Sequence, residues 1–422
     1  VFIRRFAVKN FMIHRSTSVS LHPISVFVGP NNGGKSALFD ALLNFTMVSR
    51  GRVSQAFGPG PYSFRSKKSH GVAGAARISF EVELSRGATD TEYLTYSISY
   101  SQAAGPADPP HYQIFDERLV GSNGVEHFLR SDLEASPLAS AIKYLTEDQS
   151  VFAAIRRAQF AGEYEETDPL VTHVAREVSR IGKFRLNPQA LSQPSRLPDV
   201  SAAGPKSGDG EESASSSAPG PGLAYGGEDL ATVLYFLAET GSPVLTEVID
   251  RLRSSVVGFD GFEFNTVGAD RVGFSARFDD SRGIVAAANL SDGTLSLVGL
   301  SVLLANPSRQ PIICIEEPEN GLTPRSTRHI YEAVRSAAFP GGGGPASQIL
   351  ISSHSPYVIC EAWNGDERDF IYQVTAEGGR ALVRTFPEAI LGLGLHLEKD
   401  KSGKRDRLNL NVADQVMDGY LT

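Results

Sequence analysis

One run of eight residues, Gly29-Pro30-Asn31-Asn32-Gly33-Gly34-Lys35-Ser36, constrains this 422-residue chain more than any other stretch. It fits G-x-x-x-x-G-K-[ST] without a mismatch. The flanks suit it: Ser25–Val28 reads as a short β-branched strand entering the loop, and Ala37–Phe45 as an amphipathic helix leaving it. Glycines let the backbone curl until successive N–H groups face inward, and the positive end of the helix dipole adds to their pull on phosphate oxygens. Lys35 would set its ammonium against the β- and γ-phosphates, and Ser36 would offer its hydroxyl to Mg²⁺. Gly29, Asn31, Asn32, Gly33, Gly34, Lys35, Ser36 and Ala37 are therefore the expected nucleotide-binding residues.

Two nearly continuous apolar runs, Ile312–Ile315 and Ile349–Ile351, have the texture of strands buried on both faces of a parallel sheet, and strand–helix alternation around them predicts an α/β core. The first run ends in two carboxylates, Glu316 and Glu317, where side chains at the C-terminal edge of an open α/β sheet face the ligand crevice. Neighbouring strand residues point to opposite faces, so the two should diverge, one holding the Mg²⁺ shell and the other orienting and deprotonating a water. The second run ends in Ser352-Ser353-His354, which places a histidine where it can reach a γ-phosphate or polarise the attacking water. Cys314 reads as a small core side chain.

Elsewhere, Arg77–Leu84 and Tyr93–Tyr100 alternate with a period of two and predict an antiparallel pair with one solvated face. From Val125 to Ile181 the apolar spacing is helical, and Asp229–Ala238 and Val244–Val257 also read as helices. Residues 201–222 contain 18 Gly, Ala, Ser or Pro in 22 positions, too little burial to offset ordering, and predict a linker. The expected domains are an ATPase core from 1–50 and 225–390, an inserted β-then-helical lobe at 51–200, a linker at 201–224 and a C-terminal tail at 391–422.

A formal charge of −8 argues against a uniformly basic nucleic-acid coat. DNA contact would fall to local clusters: Arg50, Arg52, Arg65, Lys67 and Lys68 beside Phe57, Tyr62 and Phe64, or the run Lys399–Arg407, both of which read first as solvated surface. No apolar stretch reaches membrane-spanning length and no export leader is evident, and two cysteines suit a reducing setting, so a cytoplasmic protein is expected.

Leu290-Ser291-Asp292-Gly293-Thr294-Leu295 resembles the signature motif of ABC-type ATPases. Together with Glu317-Pro318-Glu319-Asn320-Gly321-Leu322, Ser353-His354-Ser355-Pro356 and the opening Val8-Lys9-Asn10-Phe11, the chain resembles the SMC-like, RecF/OLD-type AAA ATPases of DNA repair and anti-phage defence. The resemblance implies an ABC-type P-loop head with a mostly parallel core sheet, an antiparallel β subdomain and an inserted helical lobe. It makes Lys35 and Ser36 the Walker A pair, Glu316 the metal-side Walker B residue, Glu317 the general base and His354 the switch histidine. It gives Ser291 and Gly293 to the γ-phosphate held by a second copy, hence an ATP-dependent head-to-tail homodimer. The D-loop position is Thr323. Met12 stands where the family often has a basic residue, leaving His14 or Arg15 near the base. Gln102 and Gln113 are alternative Q-loop glutamines, and no TOPRIM-type nuclease module fits after His354. The implied activity is Mg²⁺-dependent ATP hydrolysis coupled to DNA repair or anti-phage defence. The alternative is a slow-turnover, ATP-gated scaffold that restrains a separate effector such as a nuclease. A transporter subunit fits less well, because the signature reads LSDGT and not a glycine-rich LSGGQ.

Overall fold

The computed structural model describes residues 1–72, 76–103, 110–134, 136–197, 221–305, 310–340, 347–363, 369–392, 398–399, 406–408 and 410–418. The expected linker at 201–224 lies outside these residues apart from 221–224, as does most of the basic run 399–407. The chain divides into two compact units, the first formed by 1–182, 311–314 and 342–422 and the second by 183–310 and 315–341. Residues 51–182 thus belong to the same unit as the phosphate loop.

In chain order the strands are β1 (Phe2–Phe11), β2 (His14–Ser20), β3 (Ile24–Val28), β4 (Ile78–Ser85), β5 (Leu94–Gln102), β6 (Tyr112–Gly121), β7 (Glu126–Leu129), β8 (Ile181–Phe184), β9 (Ser195–Arg196), β10 (Phe259–Val267), β11 (Arg271–Phe278), β12 (Ile284–Ala286), β13 (Ile312–Glu316), β14 (Gln348–Ser353), β15 (Asp369–Glu377) and β16 (Arg380–Thr385). In the first unit, β2-β1-β4-β5-β6-β7 form an antiparallel sheet. The predicted pair is there, β4 against β5 with Ile78 opposite Tyr100. Ile78, Phe80, Val82 and Leu84 are buried and the residues between them are not, the alternation expected of a sheet with one wet face.

A second, mostly parallel sheet runs β16-β15-β3-β14-β13-β8, and its last two strands run on into the second unit. β3 lies between β14 and β15, parallel to both, and all five of its residues are buried. That double burial is why Ile24–Val28 is apolar without alternation. Helix Lys35–Arg50 follows β3 and buries Leu38, Leu42, Phe45 and Val48 at helical spacing, and Phe39 and Ala41 beside them, so most of its girth is covered. Its core includes Phe6, Phe45 and Phe80, whose ring centroids lie 5.8–6.3 Å apart.

The Val125–Ile181 segment is helical at Ala139–Ile142, Val151–Phe160 and Pro169–Glu177, but its first residues form β7. A four-residue edge strand is too short to show a period, and pairing with β6 decides its conformation.

The second unit carries a small sheet, β10-β11-β12 with β9 on β11, and helices Leu230–Glu239, Pro243–Ser255, Asp292–Ala305 and Pro324–Ala338. Asp292–Ala305 packs against Pro243–Ser255 and Pro324–Ala338. From Leu295 onward all its residues are buried, so it is a core helix and not an amphipathic one.

Candidate active site

The phosphate loop is the turn between β3 and helix Lys35–Arg50, with Gly34 capping the helix N-terminus. A Cβ on Gly29, where φ is +142°, would run into the backbone carbonyl oxygen of Val374 on β15, so only glycine fits this close approach. Asn31, Asn32 and Ser36 are exposed, while Gly33 and Lys35 are buried. The Lys35 ammonium turns into the loop, with Nζ donating to the carbonyls of Gly29 at 2.6 Å and Pro30 at 2.9 Å. The Lys35 ammonium therefore lies within the glycine turn itself.

The two basic candidates, His14 and Arg15, have different surroundings. His14 is buried, with Nε2 2.9 Å from the Gly34 carbonyl and Nδ1 2.9 Å from Thr17 Oγ1. Burial pushes its pKa below the ordinary value, so the ring is neutral, Nε2–H donates to Gly34 and Nδ1 accepts from Thr17. Arg15 instead donates to the His70 carbonyl. His14 thus braces the loop's last glycine from β2. The glutamine alternatives lie side by side, Gln113 opposite Ser101 and Gln102 opposite Tyr112 on β5 and β6.

The parallel register brings His354 to the same edge. Ser353 pairs with Val28 across β14 and β3, so His354 and Gly29, each one residue on, leave the sheet together. His354 is exposed there. Cys314 is buried, as its position in an apolar strand requires.

In the second unit, β13 ends at Glu316, and Glu317 takes a left-handed conformation with φ +49°. The strand has ended at Glu316, so this turn and not the strand pleat sets the direction of Glu317. A non-glycine residue held there costs about 1–3 kcal/mol, a strain that collects at functional sites. Glu316 is buried; its Oε2 meets Lys183 Nζ at 3.3 Å and accepts from the Tyr225 hydroxyl at 3.1 Å. Burial, with the Glu316 charge beside it, raises the Tyr225 pKa and keeps the phenol a donor. Glu316 Oε1 is buried with no hydrogen-bond partner among the described residues. Such an oxygen is costly unless something satisfies it, and a hydrated divalent cation would. Glu317 Oε2 accepts from Arg185 Nη2 at 2.7 Å and Asn320 Nδ2 at 2.9 Å.

The Leu-Ser-Asp-Gly turn packs onto the segment that follows these carboxylates. Ser291 Oγ accepts from the Thr294 N–H at 3.2 Å and caps helix Asp292–Ala305. A Cβ on Gly293 would come within 2.6 Å of the Gly321 carbonyl oxygen, so glycine is what lets the helix start dock on Glu317–Gly321. Thr323 caps helix Pro324–Ala338, accepting from the Ser326 N–H.

Lys183, Arg185 and Tyr225 escape sequence reasoning. Lys183 and Arg185 belong to no motif, and their only local sign is a pair of cations at alternate positions as β8 ends. In the basic cluster at 50–68, Phe64 is buried, Phe57 packs on Tyr112 with ring centroids 5.4 Å apart and Lys67 pairs with Asp40 at 2.8 Å, while Tyr62 is exposed. Phe57 and Phe64 are held against Tyr100 and Tyr112 of β5 and β6. Among the described residues no group of three or more His, Cys, Asp or Glu gathers as a metal cage, and Mg²⁺ held through phosphates needs none. No helix among them is long and apolar enough to cross a membrane.

Residues 213–360 match the family described as "AAA domain, putative AbiEii toxin, Type IV TA system". The match includes Ser291, Gly293, Glu316, Glu317 and His354 and leaves out the phosphate loop. No curated protein matches the chain. Among solved structures, the SmcHead bound to the C-winged helix domain of ScpA is similar at 10% identity and a TM-score of 0.52, over 92% of this chain and 100% of that one. An SMC head domain from Thermotoga maritima gives 14% identity and a TM-score of 0.44, over 91% and 99%. The Smc head with an extended coiled coil, bound to the C-terminal domain of ScpA derived from Pyrococcus furiosus, gives 11% and 0.47, over 93% and 98%. The first likeness shows the fold: an α/β architecture of the SMC-head type, with a mixed, mostly parallel sheet and a separate antiparallel one.

Proposed function

We propose that this chain binds ATP with Mg²⁺ and hydrolyses it as one half of a head-to-tail homodimer. The observation that carries the reading is Lys35, turned into a glycine loop between a buried parallel strand and a helix N-terminus, with Nζ 2.6 Å from the Gly29 carbonyl. In this reading the loop N–H groups and Lys35 hold the β- and γ-phosphates, while Ser36 and Glu316 hold the metal. Mg²⁺ would supply charge neutralisation on the phosphate oxygens. Glu317 takes the proton of the attacking water as the new P–O bond forms and the bond to ADP breaks, and His354 orients that water or the γ-phosphate. Ser291 and Gly293 serve the nucleotide of the second copy.

The biological setting proposed is anti-phage defence or a toxin–antitoxin system, in keeping with the family matched by 213–360. A second reading is that slow turnover gates a separate effector nuclease.

Nucleotide binding and turnover of the purified chain test the site. Wild type should bind ATP with Mg²⁺; Lys35→Ala should lose binding, and Glu317→Gln should bind ATP but not turn it over. Full ATP affinity in Lys35→Ala, or wild-type turnover in Glu317→Gln, removes the corresponding assignment. Multiple turnovers per minute favour the motor, and negligible turnover with ATP-dependent partner capture favours the scaffold.

A further inference from the structure

The proposed chemistry leaves Arg185 without a task, yet it makes the shortest ion pair in which either candidate carboxylate engages among the described residues, 2.7 Å from Nη2 to Glu317 Oε2. We propose that Arg185 is the positioning residue of Glu317, fixing the carboxylate that takes the water's proton; this rests on the reading of Glu317 as the base.

Arg185 starts from an anchored backbone. Its own N–H donates to the Tyr225 carbonyl at 2.9 Å, and the Asn187 N–H donates to the Gly226 carbonyl at 3.0 Å. The guanidinium therefore reaches out from a fixed point and not from a free loop. Glu317 is equally constrained: its φ of +49° turns the chain, the Asn320 N–H returns to its carbonyl at 3.1 Å, and Asn320 Nδ2 shares Oε2 with Arg185. Two donors on one oxygen, Oε2, define the rotamer of the carboxylate.

The sequence spacing makes the arrangement specific. Lys183 and Arg185 stand two apart where β8 ends. Lys183 meets Glu316 and Arg185 meets Glu317, one cation per carboxylate. Arginine suits the second position because it never deprotonates and its planar fork fixes direction as well as charge. The Arg185 side chain is 52% exposed and that of Glu317 18%, so the pair contributes little to folding and its effect should fall on the chemistry.

Arg185→Ala and Arg185→Lys, each made in wild type and in Glu317→Gln, test this. Arg185→Ala should lower the single-turnover hydrolysis rate about 10- to 100-fold, leaving nucleotide affinity and unfolding temperature nearly unchanged. Arg185→Lys should recover part of the loss, and the small residual single-turnover rate left in Glu317→Gln should not be slowed further by either change. In the nucleotide-free protein, carbodiimide coupling of an amine to Glu317, read by mass spectrometry, should be severalfold faster in Arg185→Ala. The proposal is overturned by an unchanged or increased rate in Arg185→Ala, by an equal loss in the Glu317→Gln background, or by unchanged Glu317 labelling. Failure of wild type to bind ATP would remove the site reading itself, which is a separate outcome.

Discussion

Side chains that a motif does not mention hold the proposed site in place, and His14 is the clearest case. Burial lowers its pKa from an ordinary 6.5, as it does for His22 and His173. Below pH 6.5 the unfolded chain takes up protons that the folded chain refuses, so stability falls as pH falls through that window toward the depressed native values. The unfolding temperature should therefore drop between pH 7.5 and about 5, and more shallowly in His14→Gln. Equal slopes in the two proteins would show that His14 is not a source of the drop. The sequence leaves His14 and Arg15 as equal candidates, because adjacent residues near a turn differ only in which one the fold buries.

At the scale of elements, the antiparallel sheet of the first unit is tied to helix Val151–Phe160 through one buried carboxylate. Glu117 on β6 accepts from the Tyr96 hydroxyl at 2.5 Å and the Val151 N–H at 2.7 Å, and pairs with Arg130 at 2.7 Å. Arg130→Ala would strand a charge that is 1% exposed, at a cost of about 3–5 kcal/mol, measurable by urea denaturation. By contrast Arg118–Glu126, an exposed pair on the same sheet, should cost less than about 1 kcal/mol when broken. If the two losses match, the Glu117 network is not what joins sheet to helix. Legibility at this scale followed length and patterning. β4 and β5 show their alternation because one face is wet, and β13 and β14 show apolar runs because neither is. β11 carries the same alternation in Val272, Phe274, Ala276 and Phe278, but Ala276 is too small to mark the face and Gly273 breaks the run.

For the molecule as a whole, the proposed dimer gives the Leu-Ser-Asp-Gly turn its purpose. A ligand at 100 times its dissociation constant stabilises the competent state by about 2.7 kcal/mol per site, so two nucleotides can drive a weak association. The Glu317→Gln chain should be dimeric with ATP and monomeric without it, as read by light scattering. Adding Ser291→Arg should abolish the dimer while leaving ATP bound. Ser291 also caps its helix, at a cost of about 1 kcal/mol when lost, so a folded monomer that still binds ATP separates the interface from the cap. Persistence of the dimer in the double variant would remove Ser291 from the interface.

The phosphate loop, the strand before it, the carboxylate pair and the histidine after β14 could all be read along the chain. Each depends on residue type and spacing within a few positions, where backbone geometry follows from glycine, β-branching and helix capping. The partners of those groups could not be read in that way. Arg185 and Glu317 stand 132 positions apart and Tyr225 and Glu316 stand 91 apart, and neither pair leaves a local pattern. Which cation meets which carboxylate is decided by the path of the folded chain, because an ion pair depends on distance in space and not on order in sequence.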